Sequence, residues 1–388
     1  MIYEEIKNME NVSDKWQTRI NRAEAELATA FQFRNKKAPI VIVDTNYWTF
    51  GDLFNEIPAD FYTDPSSAFR YQMDKIEKHF NNFPDDVYIP FLHPWYGTGV
   101  LASAFGIKLI CNLKADPAVD ISQMQYPEEL DLLTLPVPGE SGAMPIVIKI
   151  MDYFLAHTDL PVVFTDCQGP LTTAFQIAGY DKMCYWMYEE PDRIHKFMTL
   201  VTDSLIAWVR FQKKYARQSL TGGCYPLSIK LPEGYGGVWM ADDDSVIISA
   251  DLYNEFVRPY NEKFLAAFGG GCIHYCGNST QNIENYCNTR GLTALNNFNL
   301  DDLESAAKIR RALREKGIVY MACDFVPNDK RMEDYYRELN KAMDGPEGLI
   351  VCAYPAPAIA LEKGKYEAQD RDREILSKRA FELISRYF

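Results

Sequence analysis

Eight short apolar runs, each followed by a longer stretch of helical period, constrain this 388-residue chain more than any other feature. The runs lie at 38–44, 87–91, 161–165, 237–240, 272–276, 292–297, 318–322 and 349–351. Several, such as Ile40-Val-Ile-Val43, are apolar at successive positions, as parallel strands buried on both faces are. Helical period appears at 14–33, 66–80, 143–157, 191–217, 249–268, 280–289, 300–315, 329–343 and 366–387. In 191–217, Pro191 suits a first turn, and Ile194, Met198, Val201, Leu205 and Trp208 form one apolar stripe. Strict alternation predicts parallel strands with helical crossovers. Eight such units favour a closed (β/α)8 TIM barrel of the α/β class over an open doubly wound sheet. The expected organisation is one barrel domain over 1–388, with a helical N-terminal extension over 1–36. Residues 115–142, rich in proline and acid and without a period, read as a long loop over the site end, a candidate lid.

The balance of charge is −14 at neutral pH. It argues against a phosphate backbone or an anionic membrane surface as partner. No run of membrane-spanning length occurs, and the N-terminus is polar rather than an apolar leader. The nine cysteines are odd in number and scattered. In a chain of this size they read as reduced thiols of a cytoplasmic protein. No Gly-x-Gly-x-x-Gly or Gly-Lys-Ser/Thr loop is present, which argues against a nucleotide site.

In a barrel enzyme the chemistry gathers at the carboxyl ends of the strands. His274 and Cys276, two apart on one strand, present an imidazole and a thiol to the same side, and both are zinc-type donors. Asp44, Asn46 and Trp48 end the first strand, and His93, Trp95 and Tyr96 follow the second. Asp166 and Cys167 follow the third. Asp242, Asp243 and Asp244 follow the fourth, with Asp242 the one expected to reach the site. Cys323 and Cys352 end the last two. Trp48, Trp95, Tyr96, Trp239 and Tyr354 would make an aromatic mouth. Each has a plainer reading: a hydrogen-bonded pair for His274 and Cys276, core thiols for Cys323 and Cys352, a satisfied turn imidazole for His93, a turn cap for Asp166, and a solvated loop for the acid run.

Several stretches resemble the uroporphyrinogen decarboxylase-like superfamily, from about Trp16 to the C-terminus. Gly169-Pro-Leu-Thr-Thr-Ala174 with the helix after Glu190-Pro-Asp is similar to its central Gly-Pro-x-Thr block. Ile248-Ser-Ala-Asp through Pro259-Tyr260 is similar to a second helix block, and His274-x-Cys276-Gly277 to its zinc- and corrinoid-dependent methyltransferase branch. The decarboxylases carry an arginine-rich N-terminal segment where this chain has Pro39 to Trp48 without arginine, and a Gly-His-Gly where no histidine follows His274. The resemblance thus implies a zinc-dependent methyltransferase that works with a corrinoid protein or free cobalamin and a small methyl donor or acceptor. It implies zinc on His274, Cys276 and Cys352, with Cys323 as the fallback because Cys352-Ala-Tyr-Pro departs from the family's Gly-Cys-Gly-like segment. Asp166, His93 and Asp242 are the catalytic candidates, and Trp95, Tyr96 and Gly169 the candidates for cofactor contacts. Two alternatives stand beside it: a metal-free lyase of the decarboxylase type acting on a non-porphyrin carboxylate, and a silent partner of a corrinoid protein. The oligomeric state is left open, a homodimer included.

Overall fold

The computed structural model describes residues 12–43, 58–112, 115–120, 122, 124–298, 302–326, 331–357 and 370–388. Asp44, Asn46 and Trp48 lie outside the described residues, as does the start of the expected helix at 366.

Six parallel strands form the continuous part of the ring: β1 (Ile40–Ile42), β6 (Val238–Ala241), β7 (Gly271–Cys276), β8 (Leu292–Phe298), β9 (Val319–Val326) and β10 (Leu349–Pro357). Their order is β1-β10-β9-β8-β7-β6. Two extended segments, 87–92 and 161–168, complete it through single bridges. Val87 N donates to Ile40 O, Leu92 N to Pro161 O, Val163 N to Leu92 O and Ala241 N to Cys167 O, all at 2.8–3.0 Å. The eight staves expected from sequence are therefore present and the (β/α)8 barrel closes. These two staves are irregular because Pro90 and Pro161 lack the N–H that a regular ladder needs.

Closure also needs Gly169. Its N donates to Ala241 O at 2.7 Å, and an added Cβ would stand only 3.0 Å from that oxygen. Outside the ring, the stripe on the helix Pro191–Tyr215 is wholly buried at Ile194, Met198, Val201, Leu205 and Trp208. Each such side chain contributes roughly 1.5–3 kcal/mol by leaving water. The helix Val12–Phe31 forms the expected N-terminal extension. It is tied to the barrel through Arg19, whose Nη2 meets Asp86 Oδ1 at 2.6 Å. Among the described residues, no helix is long and apolar enough to cross a membrane.

Three differences have physical causes. The stretch 249–268 forms two helices, Ala250–Phe256 and Arg258–Ala266, because Pro259 begins a new first turn. The segment expected as one long loop opens as β3 (Ala115–Val119), paired antiparallel with β2 (Leu109–Asn112), and continues into a 3-10 turn at Pro127–Leu132. Finally, a hairpin absent from the sequence reading, β4 (Gly223–Tyr225) and β5 (Ile229–Leu231), enters the ring as a plug. It starts beside Gly237 at the amino end of β6, and Ser228 O accepts from Ile89 N at 2.8 Å.

Candidate active site

A cavity of about 330 Å³ opens at the carboxyl ends of the strands, bounded by both ring and plug. The ring supplies Asp166, Trp239, His274, Asn296, Cys323 and Tyr354, and the plug supplies Tyr225, Pro226 and Leu227. Beneath His274, Tyr225 stands among Cys272, Cys323, Cys352 and Tyr354.

Strand alternation turns His274 and Cys276 to one side, as the sequence requires. Cys276 Sγ lies 3.3 Å from His274 Nε2, and His274 Nε2 lies 3.6 Å from Asp243 Oδ1. The Cys276 backbone N–H donates to the same Asp243 oxygen at 2.7 Å and fixes that carboxylate. Gly277, at φ +87°, turns the chain away directly after the thiol. The donor atoms of Asp243, His274 and Cys276 all lie within 4.8 Å of one another.

Asn296 decides which imidazole nitrogen is free. Its Nδ2 donates to Met321 O at 2.8 Å, which fixes the amide's orientation. Its Oδ1 then accepts from His274 Nδ1 at 2.6 Å and from the Tyr225 hydroxyl at 2.8 Å. Nδ1 therefore carries the proton, and the Nε2 lone pair faces Cys276 and Asp243. A tetrahedral zinc with ligand bonds of about 2.0–2.3 Å sets its donors about 3.3–3.8 Å apart. Both measured edges fall in that range. The donor set and the hydrogen bond behind the histidine thus fit a zinc ion. Without a cation, the Cys276 thiol is pushed up, first by desolvation and then by the Asp243 carboxylate.

The other expected residues divide. Asp166 and Trp95 line the cavity. The Asp166 carboxyl is pushed up to about 7 by burial first; Gln168 donates to it at 2.8 Å, and Asp243 and Asp116 repel it. Asp242 does not reach the cavity, contrary to expectation. It is fully buried on the far side, where Tyr253 and Asn261 donate to its Oδ2 at 2.7 and 3.1 Å. Burial pushes it, too, up to about 7. The next residue, Asp243, takes the place foreseen for it.

His93 is likewise a core group, set edge-on to Trp95 and Trp239 with ring centroids 5.4 and 6.3 Å away. Burial pushes its pKa down to about 3, so it is neutral. Tyr96 lies off the cavity lining with its hydroxyl 3.8 Å from Cys111 Sγ, and Gly169 serves closure of the ring. Cys352 is not brought to the His274–Cys276 pair. It is buried in the barrel interior in register with Cys323, and burial raises its thiol. Cys323 reaches the cavity wall but stays outside the donor cluster. Sequence reasoning missed Asn296, Tyr225 and Asp116, a cavity carboxylate that accepts from the Tyr62 hydroxyl. Only the apolar run around Asn296 carried a signal, a polar residue inside a buried strand.

Residues 59–221 match the model of the family described as Uroporphyrinogen decarboxylase (URO-D). A curated relative, the Methylated-thiol--coenzyme M methyltransferase of Methanosarcina mazei, is 27% identical over 192 residues, covering 48% of this chain and 47% of the relative. The chain thus aligns with about half the length of the curated relative it matches. A solved structure described as a methyltransferase from Methanosarcina mazei superposes with a TM-score of 0.66 at 16% identity, over 94% of this chain and 98% of that one. At that identity the likeness concerns the fold. Family match over residues 59–221, relative and fold all agree with the resemblance, carried by the motifs at Gly169, Ser249 and His274, to the uroporphyrinogen decarboxylase-like superfamily near its methyltransferases.

Proposed function

We propose that the protein is a zinc-dependent methyltransferase that moves a methyl group between a corrinoid, free or on a partner protein, and a thiol or similar acceptor. One observation carries this reading: a histidine whose free Nε2 is set by Asn296 faces a cysteine thiol and a carboxylate on the wall of a cavity. His274, Cys276 and Asp243 would hold the ion, Asp243 in the role first given to Cys352. Bound zinc would lower the pKa of a thiol placed at its open position and keep it as a thiolate.

The chain's own groups do the rest. Asn296 keeps Nε2 deprotonated, and the Cys276 N–H holds Asp243 in place. Trp95, Trp239 and Tyr354 wall the cavity and limit water around the reacting methyl group. Asp166, with its carboxyl at about 7, can hold or release a proton near neutrality.

Metal analysis tests the proposal. The wild type should carry about one zinc per chain, lost in His274→Ala, Cys276→Ala and Asp243→Ala and kept in Cys352→Ala. Absence of zinc after growth in zinc-supplemented, chelator-free medium would end the zinc reading. Loss in Cys352→Ala with retention in Asp243→Ala would return the third ligand to Cys352.

A further inference from the structure

The charge around the cavity carries one further step, which rests on the methyl-transfer reading. Among the described lining residues Asp116, Asp166 and Asp243 are acidic, and none is lysine or arginine. If Asp243 and a Cys276 thiolate neutralise a divalent ion, Asp116 and Asp166 remain. Neither has a cationic side chain within ion-pair distance among the described residues; Tyr62 donates to Asp116 and Gln168 to Asp166. Asp166 sits at about 7, raised by burial and by the two neighbouring carboxylates. The same cavity is lined by four aromatic side chains, Trp95, Trp239, Tyr225 and Tyr354. Trp239 is only 4% exposed, and its indole Nε1 donates to nothing among the described residues.

Aromatic faces attract cations, most strongly when both are out of water. Carboxylates in such surroundings gain from a positive charge and reject a further anion. We propose that the cavity binds a methylated onium cation, a quaternary ammonium or sulfonium group, with its methyls against the aromatic rings and Asp116 and Asp166 as counter-charges.

Three probes test this on the full-length protein as purified, read by calorimetry and tryptophan fluorescence. Choline is the cation, 3,3-dimethylbutan-1-ol has its shape without the charge, and ethanesulfonate is an anion of similar size. Choline should bind about tenfold more tightly than the neutral alcohol. Asp116→Asn and Asp166→Asn should each remove most of that preference and leave the alcohol's affinity unchanged. Equal affinity for choline and the alcohol in the wild type, a comparison that needs no variant, overturns the proposal, as does tighter binding of ethanesulfonate. Zinc content of the same samples separates the two readings. Zinc without a choline preference overturns the onium site alone, and a choline preference without zinc overturns the zinc-dependent reading alone.

Discussion

Two aspartates in this barrel, Asp86 in the core and Asp166 on the cavity wall, meet opposite surroundings. Asp86 is enclosed by donors: Arg19 at 2.6 Å, His79 at 2.7 Å, and the backbone N–H groups of Ile42 and Tyr88 at 3.3 and 3.2 Å. Burial raises its pKa, but His79, Arg19 and the Ile42 N–H together outweigh that and hold the carboxyl below its usual range. Asp166 has Gln168 as its side-chain donor and faces two other carboxylates, so burial prevails and it rises to about 7. The first carboxylate is satisfied and joins the N-terminal helix to the staves. The second is left in want of a positive charge, as groups awaiting a ligand are.

The largest effect should come from breaking the satisfied member. Asp86→Ala leaves Arg19 and His79 facing a void and should destabilise the fold by about 3–5 kcal/mol, read from chemical denaturation. A loss below about 1 kcal/mol would show that the cluster does not anchor the helix.

Opposite slopes of stability against pH come next. The folded-state pKa of Asp86 is depressed, so its contribution is present above the unfolded value of about 3.9 and fades as pH falls below it. The folded-state pKa of Asp166 is raised, so the folded protein binds more protons than the unfolded chain between about 4 and 7. The contribution of Asp166 to the stability of the metal-free protein falls as pH rises through that window and levels off above it, while His93, depressed to about 3 in the folded state, contributes a rise between about 3 and 6.5. Asp242 adds a slope of the same sign as Asp166, so the double variant Asp166→Asn/Asp242→Asn should gain stability relative to the wild type as pH rises from about 4 to 7. A stability difference between double variant and wild type that stays constant from about pH 4 to 7 would contradict the raised values.

The smallest effect belongs to Asp166→Asn alone at pH 8. Replacing a repelled carboxylate with its neutral isostere should change stability by less than about 1 kcal/mol, or raise it, while altering ligand binding. A loss as large as that of Asp86→Ala would make Asp166 a second anchor and erase the contrast.

The ring itself was legible because buried parallel strands leave unbroken apolar runs, and all eight appear where the runs are. His274 and Cys276 were legible for a related reason, since strand alternation fixes their common side. The choice among Asp242, Asp243 and Asp244 was not, because three like residues on a turn carry no period to say which faces inward. The place of Asp243 beside His274 and Cys276 depends on the same turn. The hairpin at 223–231 and the Asn296 amide were hidden because their roles arise from contacts between distant segments. Pro259, by contrast, stood in plain view and ended a helix that the apolar pattern carried through.

The plug and the imidazole share one oxygen atom. Asn296 Oδ1 receives both Tyr225, from the hairpin, and His274, from the ring. Any shift of the hairpin therefore pulls on the hydrogen bond that orients the histidine. An insert that is no part of the barrel wall thus becomes its tuning peg: sequence drift in 223–231 can retune the site while every stave stays untouched.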